Sequence, residues 1–290
     1  MDPAQPPPTD LPPPIGYPPP ADHPDRADDL ALTDDLALAL RLADTADAIT
    51  LTRFRAADLR VARKPDRTPV TDADTATEDA LRAVLGTERA GDAVLGEERG
   101  GEEAENGRGW VLDPIDGTKN FSRGAPIWAT LIALTRHGRA AVGVVSAPAL
   151  GRRWWGAAGL GAWASEAGGP PRRITVSGVA TLADAYLSTT DFRTFARRGE
   201  LGRWLALADA CWETRAFGDF WQYCLVAEGV IDLAVDRDAN AWDLAALVPI
   251  LEEAGGRLTD LDGVATHDGG NAVASNGAVH DAALALLARP

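Results

Sequence analysis

The chain has 290 residues, 46% of them apolar, enough to bury a sizeable core as one large domain or two closely packed ones. Its 43 acidic and 28 basic side chains give a formal charge of −15, which repels a phosphate backbone or an anionic membrane; the sequence shows no basic patch to override this, so nucleic acid and membrane are excluded as partners. An acidic chain that handles a phosphorylated small molecule needs positive charge at its site, and bound metal is the obvious source.

Eleven of the 20 prolines fall within the first 24 residues, a density that favours extended, solvated backbone. Residues 1–28 therefore read as a disordered proline-rich tail; its functional alternative is a ligand for an SH3-like partner. The N-terminus has no positive region followed by an apolar run, and no stretch approaches the ~20 apolar residues that span a bilayer, so a cytoplasmic protein is expected. Cys211 and Cys224 form no CxxC pair or Cys/His cluster and read as small buried hydrophobes that require no oxidising compartment.

Order is expected to begin near Thr33 as an N-cap, with Leu36, Ala39, Leu40, Ala43 and Ala46 on one face of a long amphipathic helix. A second helix is predicted over residues 74–85, with Leu81, Val84 and Leu85 inward and Gly86 as its stop. Val94-Leu95 and Trp110-Val111-Leu112 read as short buried strands that place Glu97 and Asp113 at strand ends. Residues 129–135 and 140–147 read as strands paired around the turn Arg136-His137-Gly138-Arg139, and residues 153–157 as a further strand. FWQYCLVAEGVIDLAV suggests a helix running into a strand. WDLAALVPILEEAGG reads as one helix with Asp243 in its first turn, Leu244, Leu247, Val248 and Leu251 on one face, and a Gly-Gly stop. Such alternating blocks with hairpins predict layered α and β structure with mixed or antiparallel sheets, and no internal repeat is seen.

The most informative stretch is Trp110-Val-Leu-Asp113-Pro-Ile115-Asp116-Gly117-Thr118-Lys119-Asn-Phe121, where an apolar strand breaks into a turn carrying two aspartates three positions apart. Two carboxylates on one proline-stiffened turn repel each other, a cost that makes sense if a divalent cation is held between them. Gly117 lets the backbone approach a bound group closely, and Thr118 supplies a hydroxyl. Alone, such Asp pairs are common in ordinary turns. Here they are joined by Glu97 in Gly-Glu-Glu, by Asp74 in Thr-Pro-Val-Thr-Asp-Ala-Asp, and by Trp242-Asp243 heading a later helix.

Taken together, KPDRTPVTDAD, LGEE, WVLDPIDGTKNF and AWDLAALVPILEEAGGRLTDLDG resemble, in order and separation, the motif series of the inositol monophosphatases, from about residue 33 to 288. The resemblance implies an α+β fold, a layered α/β/α/β/α sandwich, over residues 29–290, with a metal-binding N-terminal half to about residue 165 and a C-terminal half from about 166. It also implies a magnesium (Mg2+) site. One ion would be held by Glu97, Asp113 and the Ile115 carbonyl, a second by Asp113, Asp116 and Asp243, and a weaker third would share Glu97. Oxygen-only ligands suit a hard cation, and no histidine falls in these motifs. By the same resemblance Thr118, backed by Asp74, orients and deprotonates the nucleophilic water together with Glu97, which attacks a phosphate monoester directly; a homodimer is implied as well. For Thr118 and Asp74 the ordinary alternatives are a turn-stabilising hydroxyl and a helix N-cap.

Selectivity must come from the leaving-group side, where Gly117, Thr118, Lys119, Trp128 and Asp219 are the candidate substrate contacts, joined by Asp236, which by the resemblance matches a substrate-contacting acid of the family. Histidinol phosphate offers an ammonium and an imidazole, which suit a carboxylate such as Asp219 and an aromatic neighbour such as Trp128. DPIDGTKNFSRGAPIWATLIAL, VGVVSAPALGRRWW and FGDFWQYCLVAEG likewise resemble the actinobacterial histidinol-phosphate phosphatases of this superfamily. The expected activity is magnesium-dependent hydrolysis of histidinol phosphate, with inositol 1-phosphate or a broader phosphomonoester range as the alternative and a metal or phosphate sensor as the non-enzymatic one. Asp219 could equally be an N-cap. Arg136-His137-Gly138 matches the opening of the metal-free histidine phosphatases, but its hairpin context is wrong for them. Arg153-Trp154-Trp155-Gly156 is either dimer contact or core.

Overall fold

The computed structural model describes residues 26–65, 67–104 and 107–288, with side chains from Leu32 onward. Most of the proline-rich tail lies outside the described residues.

In chain order the elements are α1 (Arg26–Arg53), β1 (Val61–Arg63), β2 (Pro69–Thr71), α2 (Asp72–Glu88), β3 (Ala93–Gly96), β4 (Arg108–Asp116), α3 (Thr118–Ser122), β5 (Ala129–Arg136), β6 (Arg139–Ala147), β7 (Arg152–Ala157), β8 (Gly161–Glu166) and β9 (Arg172–Arg173). They continue with β10 (Tyr186–Ser188), α4 (Arg193–Arg197), α5 (Leu201–Ala210), β11 (Glu213–Arg215), α6 (Asp219–Ala227), β12 (Leu233–Asp236), α7 (Ala241–Leu244), α8 (Leu247–Glu253), β13 (Arg257–Thr259), β14 (Ala272–Ser275) and α9 (His280–Leu287).

β3 to β9 form a seven-stranded sheet in sequence order, antiparallel except for the parallel β3–β4 pair. The second sheet has the order β11-β10-β12-β14-β13 and is mixed, β10 running parallel to both of its neighbours. The pleat sorts the side chains of the large sheet to opposite faces. Trp110, Leu112, Ile132, Leu134, Val142, Val144 and Trp155 pack against Leu36, Ala39, Leu42, Ala43, Ala46 of α1 and Leu81, Leu85 of α2. From the other face, Val111, Leu131, Ala133, Val145 and Trp154 meet α6 and α8, which also cover Ala234, Leu258 and Ala272 of the smaller sheet. Trp204 and Leu207 of α5 and Ala283 and Leu287 of α9 close that sheet's far side over Leu187, Leu233, Val235 and Val273. The result is the five-layer α/β/α/β/α sandwich expected. Among the described residues, no helix is long and apolar enough to cross a membrane.

Several boundaries differ from expectation. α1 begins at Arg26, so Thr33 lies inside it rather than at its N-cap, and residues 26–28, expected in the tail, are helical. α2 starts two residues before Asp74 and runs through Gly86 to Glu88, because an isolated glycine costs only about 1 kcal/mol against the packing of Leu81 and Leu85. The helix expected from Trp242 is interrupted into α7 and α8. Pro249 has no N–H to offer the Ala245 carbonyl four residues back, which weakens the ladder there. Trp154 and Trp155 are buried within the chain, on opposite faces of the large sheet, and are core rather than a contact surface. Cys224 is buried as expected, but Cys211 only partly; both are free thiols. His137 sits exposed at the β5–β6 turn with φ +50, beside Gly138 at φ +71, a pair of left-handed residues that closes a tight hairpin.

Candidate active site

β4 ends in the Asp113-Pro-Ile-Asp116 turn, where its register against β5 slips between Asp113 and Asp116. The slip turns both carboxylates out of the ladder at the strand's end. Gly117 follows at φ +83, and a Cβ there would come within 3.0 Å of the Ile127 carbonyl, so only glycine lets α3 start so close to the next strand. From the smaller sheet, the segment after β12 delivers Asp243 in the first turn of α7, where its Oδ2 accepts from Asn240 N at 2.7 Å and Asn240 Nδ2 at 3.1 Å.

These elements bring one oxygen each of Asp113, Asp116 and Asp243 within 4.8 Å of one another, Asp113 buried and the other two partly so. Asp113 Oδ1 accepts from Ile115 N at 3.0 Å and Asp116 Oδ2 from Phe220 N at 2.5 Å. Two backbone N–H groups do not neutralise the grouping. Burial, reinforced by Glu97 at Asp113 and by Asp219 and Asp243 at Asp116, pushes both carboxyls well above the usual range. Asp243 is pushed up to about 7, by burial first, with Glu97 adding to it. Such a repelling oxygen set, short of counter-charge, fits a hard divalent cation.

The grouping does not include Glu97. Its Oε1 is paired with Lys64 Nζ at 2.8 Å, and the same ammonium stands 2.7 Å from Glu98 Oε1. The backbone of this segment is held by Glu78, a fully buried residue of α2 that accepts from Glu98 N at 2.7 Å and Arg99 N at 3.2 Å. Gly96 is required there, since a Cβ would fall 2.1 Å from Glu78 Oε1.

Asp74 occupies the third position of α2 and closes a capping box with Thr71. It is thus a helix-capping partner, though Thr71 rather than Asp74 is the N-cap. Its other oxygen lies 3.1 Å from Thr118 Oγ1, which is also 2.9 Å from the Ile115 carbonyl. Burial raises Asp74 to about 6 despite the Thr71 and Thr118 hydrogen bonds that pull the other way.

Of the expected substrate contacts, Lys119 is exposed and Asp219 partly buried. Asp219 is raised to about 6 by burial, with Asp236 adding to the shift and Lys119 opposing it. It is no N-cap: Gly218 holds that position, and Asp219 is the first residue of α6, with φ +47. Two other expectations are corrected. Trp128 is fully buried, with Phe54 and Phe121 rings 5.4 and 5.0 Å from it, so it offers no face to a ligand. The Asp236 carboxylate is taken up within the fold by Thr190 N at 2.8 Å, Thr190 Oγ1 at 2.9 Å, Gln222 Nε2 at 2.5 Å and Tyr223 OH at 2.8 Å, leaving it an anchor rather than a substrate contact.

Lys64, Glu78, Asn120 and Thr190 were not singled out from sequence. Glu78 had a signal, one helical turn after Asp74 on the face that holds Leu81 and Leu85. Lys64 opens the KPDRTPVTDAD stretch and Asn120 lies within WVLDPIDGTKNF, but their partners are 33 and 99 positions away, and Thr190, whose partner is 29 away, had no signal.

Comparison with known proteins agrees with this geometry. The model of the inositol monophosphatase family matches residues 32–289. A histidinol-phosphatase of Mycobacterium tuberculosis is 57% identical over 250 residues, covering 86% of this chain and 96% of that protein. One of Streptomyces coelicolor is 48% identical over 254 residues, covering 86% and 95%. Among solved structures, an inositol monophosphatase from Zymomonas mobilis superposes with a TM-score of 0.77 at 36% identity, covering 89% of this chain and 98% of that one. On its motifs, its layered fold and its acidic cluster, the chain belongs to the inositol monophosphatase family.

Proposed function

We propose that this chain is a phosphoric monoester hydrolase that uses Mg2+ to cleave L-histidinol phosphate to L-histidinol and phosphate, a step of histidine biosynthesis. The observation that carries the reading is the Asp219 carboxylate, set on the turn whose next N–H, that of Phe220, binds Asp116 of the acidic cluster. The histidinol-phosphatases similar to this chain support the same choice of alcohol.

Asp113, Asp116 and Asp243, with Glu97 and the Ile115 carbonyl, would hold two or three ions. Bound there, Mg2+ supplies positive charge against the phosphoryl oxygens and the leaving alkoxide and makes a water easier to deprotonate. The Thr118 hydroxyl, between Asp74 and the Ile115 carbonyl, is placed to orient that water, and Asp74 is the carboxylate to which its proton can pass. Asp219 offers a charge-assisted hydrogen bond to the substrate ammonium, which inositol 1-phosphate lacks. Lys119, exposed and one residue after Thr118, is a cation for phosphate. A homodimer in the reducing cytoplasm completes the reading and suits the two free thiols.

A second reading, inositol 1-phosphate, draws on the similarity to the Zymomonas mobilis protein. Phosphate release from both esters, with Mg2+ and with EDTA, separates the two. A preference of ~100-fold for histidinol phosphate, about 2.7 kcal/mol of differential transition-state binding, is expected. The reverse preference overturns the substrate assignment, and release undiminished by EDTA overturns the metal.

A further inference from the structure

Asp219 is fixed twice, once through its backbone and once through its side chain. Its φ of +47 lies in the left-handed region, uncommon for a non-glycine residue though one that aspartate adopts more readily than most. Here Thr190 Oγ1 accepts from Asp219 N at 2.9 Å, and Thr190 is itself tied to the buried Asp236. The side chain is held from elsewhere. Asn120, in α3 beside the metal-site turn, donates one Nδ2 hydrogen to the Ile127 carbonyl at 2.9 Å and the other to Asp219 Oδ2 at 3.1 Å. Both neighbours are acceptors only, so the amide orientation is forced and both its protons are committed.

The arrangement leaves Asp219 Oδ1 without a hydrogen-bond donor among the described residues. Lys119 is a cation of the chain itself whose charge acts on Asp219. A carboxylate held through Oδ2 keeps Oδ1 available to a ligand's cation.

The geometry points to Asn120 as a positioning residue that sets the Asp219 carboxylate and so the preference for a phosphate ester whose alcohol carries an ammonium group. The inference rests on the substrate reading above. Asn120 touches no reacting atom; it acts through Asp219.

The test is a double-mutant cycle on the full chain with Mg2+, comparing kcat/KM for L-histidinol phosphate with that for p-nitrophenyl phosphate, which has no ammonium. Asn120→Ala is expected to lower the ratio of the two by about tenfold, the scale of one hydrogen bond to a charged group, with the loss carried by KM rather than kcat. Asp219→Ala is expected to lower it at least as much, and Asn120→Ala to add nothing further on that background. If Asn120→Ala does not fold, Asn120→Ser carries the same test. Additive losses, or an unchanged ratio in Asn120→Ala, overturn the inference while leaving the substrate reading intact. Failure of the unmodified enzyme to turn over histidinol phosphate, with p-nitrophenyl phosphate still cleaved, overturns both.

Discussion

Asp35 of α1 and Arg108 of β4 meet fork to fork, each carboxylate oxygen accepting from one terminal guanidinium nitrogen at 2.8 Å. Arg89 and Arg136 close on the same carboxylate, each at 3.1 Å, and Asp35 is only 2% exposed. Burial pulls its pKa up, but the Arg108 and Arg89 contacts outweigh this and hold it below the usual carboxylate value. Asp35→Ala would leave three guanidinium groups facing a partly buried void, so a loss of about 3–5 kcal/mol is expected in urea unfolding. Because the folded-state pKa is depressed, the contribution is present above pH ~4 and disappears as pH falls further. A variant as stable as the parent at pH 7 would contradict this account.

The acidic site has the opposite sign. Asp74 and Asp243 have folded-state pKa values raised to about 6 and about 7, so without metal the fold binds more protons than the unfolded chain between about pH 4 and 7. Stability in EDTA should therefore fall as pH rises through that window, added to the general self-repulsion of an acidic protein. Scanning calorimetry should show Tm dropping from pH 4.5 to 7.5 in EDTA, recovery with Mg2+, and tighter Mg2+ binding at the higher pH as the ligands give up protons. In Asp243→Asn the slope should flatten; a slope equal to the parent's would show that Asp243 does not titrate in this range.

Replacing Asp113 or Asp116 by Asn keeps shape but removes a negative charge from the acidic cluster proposed to hold Mg2+. A loss of ~10³-fold in kcat/KM, about 4 kcal/mol, is expected in steady-state assays at saturating Mg2+. Asp74→Asn acts one step removed, through Thr118, and should cost ~10–100-fold. Equal losses for Asp74→Asn and Asp116→Asn would argue against that division of roles.

Helix α8 lies directly on the backbone of the large sheet. A Cβ on Gly143 would fall 2.0 Å from the Ala246 carbonyl oxygen, and one on Gly156 2.8 Å from that of Pro249. Gly143→Ala is accordingly expected to cost ~3 kcal/mol or more, seen as a lower urea midpoint, or to yield insoluble protein.

Much of the fold was readable because its signals are local. β4, β5 and β6 are short, nearly continuous apolar runs buried on both faces of the sheet, and the Asp113-Pro-Ile-Asp116-Gly turn announces itself by chemistry. What escaped was decided by distant partners. Gly86 was overridden by packing from α1, and Pro249 broke a helix whose hydrophobic face was otherwise correct. Trp128 and Asp236 are residue types that suit a ligand, but the fold spends them on itself. Asp219 was legible as a carboxylate of interest, whereas its left-handed backbone depends on Thr190, from a segment 29 positions earlier.

The orientation of α1 has a practical bearing on handling the protein. Its C-terminal end is tied to the start of α2 by Arg53, which pairs with Asp72 at 2.9 Å, and just beyond it Arg55 donates to the Gly124 carbonyl after α3 at 2.7 Å. A 28-residue helix is about 42 Å long. A linker joined directly to the start of α1 therefore begins about 42 Å along the helix from these ties, whereas one inserted between Arg53 and Val61 would fall beside them.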